Sequence, residues 1–535
     1  MLWPQRAMLG WNKLVFHRGI STIITRGYQQ QMEAIDTKYE EAVQTLNELQ
    51  CYKMLSAKQK LEGLGLLLMK EFLHRVDVSE KDINDLRVIH VTGTKGKGST
   101  CAFVESILRK HGVKTGFYSS PHLLEVRERI RLNGRPISTD LFTKYFWEVH
   151  ELLKISEDDY EAKIPSYFYM LTILAFYIFK HEKVGAAVIE VGIGGAFDAT
   201  NVISRPICCG VAALGIDHTE YLGNTIEKIA WQKGGIFKPG TPAFTLPQPT
   251  EGMAVLKQRA NEFNVDLKIV PNFDSYPRSD DLTLGLSGDH QKLNASLATQ
   301  LANCWLQRTS MSPIMTSPNL LFPLNEPFRQ GLHSCVWNGR GQVIKFRSVS
   351  FYLDGAHTVR SLTCATKWFM EESSTEEFHL KTSCEKILAF NVTNNRDAKQ
   401  FLEILFPCGF SRSLFVPNIA SHAPSRFNDQ NNLKIPIENQ IFRIFANRDA
   451  WKEVCQSRGT PTNNDEAQTF LSVADALSSV TEGRDEELWK TLQSMTSQED
   501  YPTMKLRGKH LQVFVTGSLH LVGAFLMILK PDINE

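Results

Sequence analysis

R-V-I-H-V-T-G-T-K-G-K-G-S-T, residues 87–100, decides the fold. Its β-branched run (Val88, Ile89, Val91) breaks into Gly93, Gly96 and Gly98 around Lys97, and a helical pattern from Cys101 to His111 follows, closed by Gly112. A strand, a glycine loop and a helix N-terminus together make a cradle for polyphosphate. Glycines let backbone N–H groups approach the oxygens, the helix dipole favours negative charge, and a lysine adds a cation. The spacing departs from G-x-x-x-x-G-K-[ST], because Thr94 and Lys95 alone separate Gly93 from Gly96, and Gly98 stands between Lys97 and Ser99. Nucleotide binding is one reading of the stretch; a plain tight turn is the other.

Outward from this loop, strand-like and helical runs alternate. Strands are expected at 87–92, 113–118, 184–191 and 206–214, with helices at 99–111, 139–154, 166–181 and near 225–234. That alternation implies an α/β fold with a doubly wound, mostly parallel sheet. The region near 306–328 has turn chemistry and no periodicity, after which strands resume at 348–353, 386–392, 413–417 and 511–516, followed by a helix to about 529. The expected organisation is a segment 1–31, a P-loop domain 32–310, a linker 311–328, and a smaller Rossmann-like C-terminal domain 329–535 with a flexible polar insertion at 456–500.

The 535 residues, 42% apolar, suffice for large cores. Lysine and arginine number 59 against 58 acids, a balance that argues against a nucleic-acid partner or a polybasic membrane surface. The ten cysteines are scattered with no C-x-x-C spacing, which reads as free thiols in a reducing compartment with no zinc site. The longest apolar run, Met170 to Phe179, is too short to span a bilayer, so no integral membrane segment is expected. Residues 1–32 carry Arg6, Lys13, Arg18 and Arg26 and no acid before Glu33. This matches an amphipathic mitochondrial transit segment; a disordered tail is the alternative. Met32 sits where that segment ends, so initiation at Met1 implies a mitochondrial form (matrix, associated with the inner membrane) and initiation at Met32 a cytoplasmic one.

In open α/β sheets, ligands gather beyond the carboxyl ends of the strands. Four such ends carry matching chemistry: the glycine loop, Ser120 after strand 113–118, Glu190 at the end of 184–191, and His218 in G-I-D-H after 206–214. A hydroxyl, a carboxylate and an imidazole beside a phosphate loop suit Mg²⁺, which accepts few protein ligands and shares phosphate oxygens. Taken singly, Ser120 reads equally as a turn residue, Glu190 as half of an ion pair and His218 as a loop histidine. Lys233 in W-Q-K-G-G reads either as a desolvated lysine or as a surface one. In the second domain, Arg340 is placed to clamp a triphosphate from the far side, and Asp354 of Y-L-D-G-A-H to accept from ribose or to position that arginine.

The motifs F-Y-S-S-P-H-L, V-R-E-R-I-R-L-N-G, I-E-V-G-I-G-G-A-F-D-A-T-N, G-I-D-H-T, I-A-W-Q-K-G-G-I-F-K, G-D-H-Q-K-L-N-A, Y-L-D-G-A-H-T and V-T-G-S-L-H-L-V-G follow the glycine loop in order across both domains. In this the chain closely resembles the animal-type folylpolyglutamate synthases of the Mur-ligase superfamily. The resemblance implies an ATP-dependent, ADP-forming ligase. It would join L-glutamate to the γ-carboxylate of reduced folates through an acyl phosphate, retaining folates for one-carbon metabolism. It further implies phosphate contacts from Gly96, Lys97, Gly98 and Ser99, an adenine-side role for Asn294, and ATP contacts from Arg340 and Asp354. Magnesium would be held by Ser120, Glu190 and His218. Lys97, His218 and Lys233 are the expected catalytic residues, with Lys233 as a carbamate holding a second Mg²⁺ in bacterial relatives. His357 and Ser518 fall in motifs assigned to the glutamate side, and folate is expected near the interdomain cleft beside loop 119–131. A monovalent cation such as K⁺ and a monomeric state complete the expectations. One departure is Lys95, where bacterial relatives often have asparagine. Dihydrofolate synthase activity on the same scaffold stays open, as do a cell-wall Mur ligase and a nucleotide-binding module without catalysis.

Overall fold

The computed structural model describes residues 37–51, 63–156, 164–310, 320–392, 396–421, 437–460, 463, 466–481, 483–493, 495 and 509–530. The leader 1–31 and Met32 lie outside them. Eight strands form the first sheet: β1 (Ile89–Thr92), β2 (Thr115–Tyr118), β3 (Ile130–Leu132), β4 (Arg135–Pro136), β5 (Ala186–Glu190), β6 (Cys208–Val211), β7 (Ala243–Thr245) and β8 (Leu267–Ile269), in the order β4-β3-β2-β5-β1-β6-β7-β8. From β2 through β8 every pairing is parallel, and the β3–β4 hairpin adds an antiparallel edge. The hairpin lies in the V-R-E-R-I-R-L-N-G motif, where no strand was expected; Asn133 and Gly134, both at positive φ, turn it.

Helices on both faces explain the unbroken apolar strands. Ala187 and Ile189 of β5 join a core under helices Thr37–Glu48, Leu64–Arg75, Thr139–Ile155 and Tyr167–His181. Ala186 and Val188 face the opposite core, under Lys97–Lys110, His290–Arg308 and Glu326–His333. With both faces buried, a strand reads as continuous apolar sequence rather than alternation. Helix Tyr167–His181 is buried along most of its length, as expected of the Met170–Phe179 run, and no helix among the described residues is long and apolar enough to cross a membrane.

The second sheet comprises β9 (Gln342–Lys345), β10 (Val349–Leu353), β11 (Glu385–Phe390), β12 (Arg412–Phe415), β13 (Ala467–Thr469) and β14 (Leu511–Thr516), in the order β13-β12-β11-β14-β10-β9 with only β9 antiparallel. Two expectations need correction here. The 311–328 linker is too long: Phe322, Leu324 and Phe328 are buried in the first domain's core with Leu332 and Cys335, so the chain leaves that domain only after them. Turn-forming prolines and serines masked this short apolar anchor. Nor is 456–500 a flexible insertion over its described residues. It supplies β13 and helices Val473–Thr481 and Glu486–Gln493, whose Val473, Leu477, Val480, Leu488 and Leu492 complete the second core. Helix Val473–Thr481 is buried on nearly every side, its apolar residues interspersed with Ser and Thr, whereas Glu486–Gln493 buries a narrow stripe diluted by Glu, Lys, Thr and Gln.

A buried carboxylate crosslinks this second domain. Glu376 accepts hydrogen bonds from Ser350 Oγ (2.8 Å), the Tyr352 hydroxyl (2.7 Å) and Gln512 Nε2 (3.1 Å), and pairs with Lys345 Nζ at 3.0 Å. Burial alone would raise its pKa, but these donors outweigh burial and hold it at about 2. A depressed carboxylate stabilises the fold above its unfolded pKa and loses that contribution as pH falls toward the folded value. Glu376→Ala should therefore cost about 3 kcal/mol near neutral pH, because several donors lose their acceptor. The penalty should shrink in denaturant titrations run progressively below pH 4.5, the unfolded reference. A penalty independent of pH would contradict the network.

Candidate active site

Because β1, β2, β5 and β6 run parallel and adjacent in the sheet, their carboxyl ends open on one side. There the two domains enclose a cavity of about 860 Å³. Gly96, Lys97, Gly98, Ser99, Ser120, Glu190, His218, Asn294, Arg340 and Asp354 all line it. Lys233 does not line it but lies just beneath, its Nζ donating to the Gly93 carbonyl at 2.8 Å.

The cradle is built by backbone constraint. Gly96, at φ +83°, caps helix Lys97–Lys110 with no side-chain cap, which leaves the N-terminal N–H groups open to a ligand. A Cβ at Gly96 would collide with Asn294 Oδ1, so Asn294 packs on the loop's back while its Nδ2 donates to Gln291 Oε1 at 2.9 Å. A Cβ at Gly98 would stand 3.0 Å from Trp337 Nε1 and 3.4 Å from Glu190 Oε2. Glycine there allows the strand-end carboxylate to approach the helix start.

Glu190 accepts from the Ser120 N–H at 3.3 Å and lies 3.9 Å from Lys97 Nζ. Burial raises its pKa, with Lys97 and the Ser120 N–H opposing. His218 stands at φ +51°, the left-handed cap of the short helix Thr219–Leu222. Although its ring is exposed to the cavity, partial desolvation lowers its pKa. Asp217 opposes that shift, and the positive charges of Lys97, Lys95 and Lys233 add to it, which favours the neutral imidazole that a metal ligand needs. Burial also drives the Lys233 ammonium well below its ordinary range, with Lys97 adding to the shift. This removes the surface-lysine reading of that residue, which is only 3% exposed.

The second domain supplies the opposite wall. Asp354, just beyond β10, accepts the Gly341 N–H and the Ala356 N–H, both at 2.9 Å, and so fixes the turn that carries Arg340. Arg340 is half-buried in the cavity wall, where desolvation lowers its pKa and Asp354 and Glu190 are its countercharges. One lobe of the cavity escaped the sequence reading: Tyr167, Phe168, Tyr169 and Phe197, with Arg129 stacked over Tyr167 at 5.5 Å. Tyr167, Phe168 and Tyr169 open a helix where they read as core, Phe197 lies in the loop after β5, and only the sheet topology brings them beside Pro121.

The chain is 40% identical over 547 residues to the folylpolyglutamate synthase, mitochondrial, of Bos taurus, covering 94% of each chain. It is 39% identical to the enzyme of the same description from Homo sapiens, covering 93% of each, and 37% identical to a putative folylpolyglutamate synthase of Caenorhabditis elegans, covering 91% of this chain and 92% of that one. No family model matches. Among solved structures, Mycobacterium tuberculosis folylpolyglutamate synthase complexed with ADP superposes with TM-score 0.65 at 21% identity, over 93% of this chain and 99% of that one. An FPGS–AMPPCP–folate complex gives TM-score 0.63 at 23% identity, over 92% and 99%. These structures share the two-sheet fold. With identity at this level sustained across both domains and nearly the whole of each relative, the chain belongs to the folylpolyglutamate synthase family.

Proposed function

We propose that the chain is an ATP-dependent ligase that adds L-glutamate to the terminal γ-carboxylate of reduced folates, forming ADP and phosphate. The observation that carries this reading is a single cavity with a glycine cradle on one wall, Arg340 on the other and an aromatic lobe at its side. The open N–H groups after Gly96 and the Lys97 ammonium hold the β- and γ-phosphates, and Arg340 neutralises the γ-phosphate from the second domain. The aromatic lobe takes the flat pteridine, with Arg129 among its charges. A γ-carboxylate oxygen attacks the γ-phosphorus and the bond to ADP breaks. The neutral α-amino nitrogen of glutamate then attacks the carbonyl carbon, and phosphate departs with that carboxylate oxygen and takes up the proton the nitrogen loses as the amide forms. Positioning and charge neutralisation account for most of the protein's contribution.

Ser120, Glu190 and His218 fit a magnesium site. Glu190 is buried with its nearest cation at 3.9 Å, and partial desolvation of His218, which lines the same cavity, favours its neutral ring. Mg²⁺ held there would supply positive charge at the phosphate oxygens. Burial favours the neutral amine of Lys233, the form that takes up carbon dioxide, and a carbamate there would offer oxygens to a second Mg²⁺. His218→Ala should raise the Mg²⁺ concentration needed for half-maximal turnover by roughly 10-fold or more. An unchanged magnesium dependence would remove His218 from the ligand set.

Translation from Met1 would address the chain to the mitochondrion and translation from Met32 would leave it in the cytoplasm, which N-terminal sequencing of separated fractions tests. Relatives in Bos taurus and Homo sapiens are named as mitochondrial. The activity is tested by incubating the protein with MgATP, L-glutamate and tetrahydrofolate and weighing the products. A ladder of added glutamyl units is expected. No increment, or an increment with dihydropteroate alone, would overturn the folate-polyglutamylating reading.

A further inference from the structure

Lys95 sits in the glycine loop between two domains. Its backbone N–H donates to the Ala213 carbonyl at 3.1 Å, pinning it to the end of β6. Its ammonium reaches Asp217 Oδ2 at 3.0 Å, within the first domain, and His357 Nε2 at 2.8 Å, in the second. The other ring nitrogen of His357, Nδ1, lies 2.7 Å from the Gly355 carbonyl. A lysine ammonium can only donate and a carbonyl can only accept, so this arrangement selects the Nδ1–H tautomer with Nε2 as acceptor. Both ring nitrogens are thereby engaged. Gly355 directly follows Asp354, and a Cβ at Gly355 would stand 2.7 Å from Arg340 Nη1. The His357 turn and the Arg340 guanidinium are therefore packed as one unit.

We propose that Lys95 is a positioning residue: its ammonium latches Asp217 of the first domain to His357 of the second, and so sets Arg340 across from the glycine cradle. Two further contacts run alongside it. Arg360 Nη1 donates to the Leu214 carbonyl at 3.0 Å, and Arg396 Nη2 lies 3.9 Å from Asp217 Oδ1. Lys95 differs from both in lying within the phosphate loop itself, so it ties domain closure to nucleotide seating. Asparagine at this position is uncharged and too short to bridge the same two acceptors. The proposal rests on the ligase reading for its effect on turnover, but not for the latch itself.

The test therefore has two readouts. Small-angle scattering on nucleotide-free protein reads the domain spacing whatever reaction the protein performs. Lys95→Met should shift the profile toward a more open molecule, and Lys95→Arg, which keeps a donor and the charge, should restore the closed profile. Steady-state ligation then reads the consequence: Lys95→Met should raise KM for ATP by roughly five- to 150-fold. Adding His357→Gln to Lys95→Met should change KM much less than His357→Gln does alone. A closed profile in Lys95→Met, equal losses in Lys95→Arg and Lys95→Met, or additive effects of the two substitutions would each overturn the latch. An absence of ligation by the unaltered protein, with scattering as expected, would instead count against the ligase reading alone.

Discussion

Lys97→Ala is expected to lose glutamate ligation by roughly 10²–10³-fold or more while melting close to the unaltered protein. The lysine lies at the first position of helix Lys97–Lys110, and its side chain is partly exposed to the cavity, 3.9 Å from Glu190. Deleting it removes a cation from the glycine cradle and little packing, so stability should fall only by what buried Glu190 loses with its nearest countercharge. The Gly96 cap and the open N–H groups stay in place, so nucleotide should still bind, more weakly, while phosphoryl transfer fails. Calorimetric binding of ADP beside product analysis separates the two effects. Turnover at the unaltered rate would remove the phosphate role from this loop.

Arg340 gives the second large effect. Arg340→Ala should lower turnover by about 10³–10⁵-fold, the range for an arginine that neutralises charge in phosphoryl transfer. Its guanidinium faces the cavity with Asp354 and Glu190 as countercharges, so deletion also leaves these two buried carboxylates less compensated. Some loss of stability should follow. Asp354 keeps its two backbone donors, which limits that loss. Arg340→Lys separates the causes: it retains a charge but not the planar fork, so it should melt nearer the unaltered protein while recovering little activity. Full activity in Arg340→Lys would mean that position needs only a positive charge.

Much of the first sheet was legible because buried parallel strands leave continuous apolar runs, as in V-G-A-A-V-I-E-V, and because the glycine loop marks where a strand meets a helix. The residues converging on the cavity were readable as strand ends, since parallel strands place all their carboxyl ends on one side. What stayed hidden has physical causes. Phe322, Leu324 and Phe328 anchor the chain through isolated side chains between turn residues, a pattern without period. Helix Val473–Thr481 is buried through small and hydroxyl side chains that read as polar, and Glu486–Gln493 buries a narrow stripe under a polar exterior. Lys95 and His357 are 262 positions apart, and nothing local to either announces the other. Tyr167, at a helix start, and Phe197, in a loop, likewise meet at the cavity only when the sheet brings the two segments together.

The most direct test labels the oxygens of the folate γ-carboxylate with ¹⁸O and follows them through one round of ligation. If Lys97 and Arg340 hold the γ-phosphate for attack by that carboxylate, the inorganic phosphate released carries one labelled oxygen, and the new amide keeps the other. Phosphate free of label, with amide still formed, would show that the carboxylate never received the phosphoryl group.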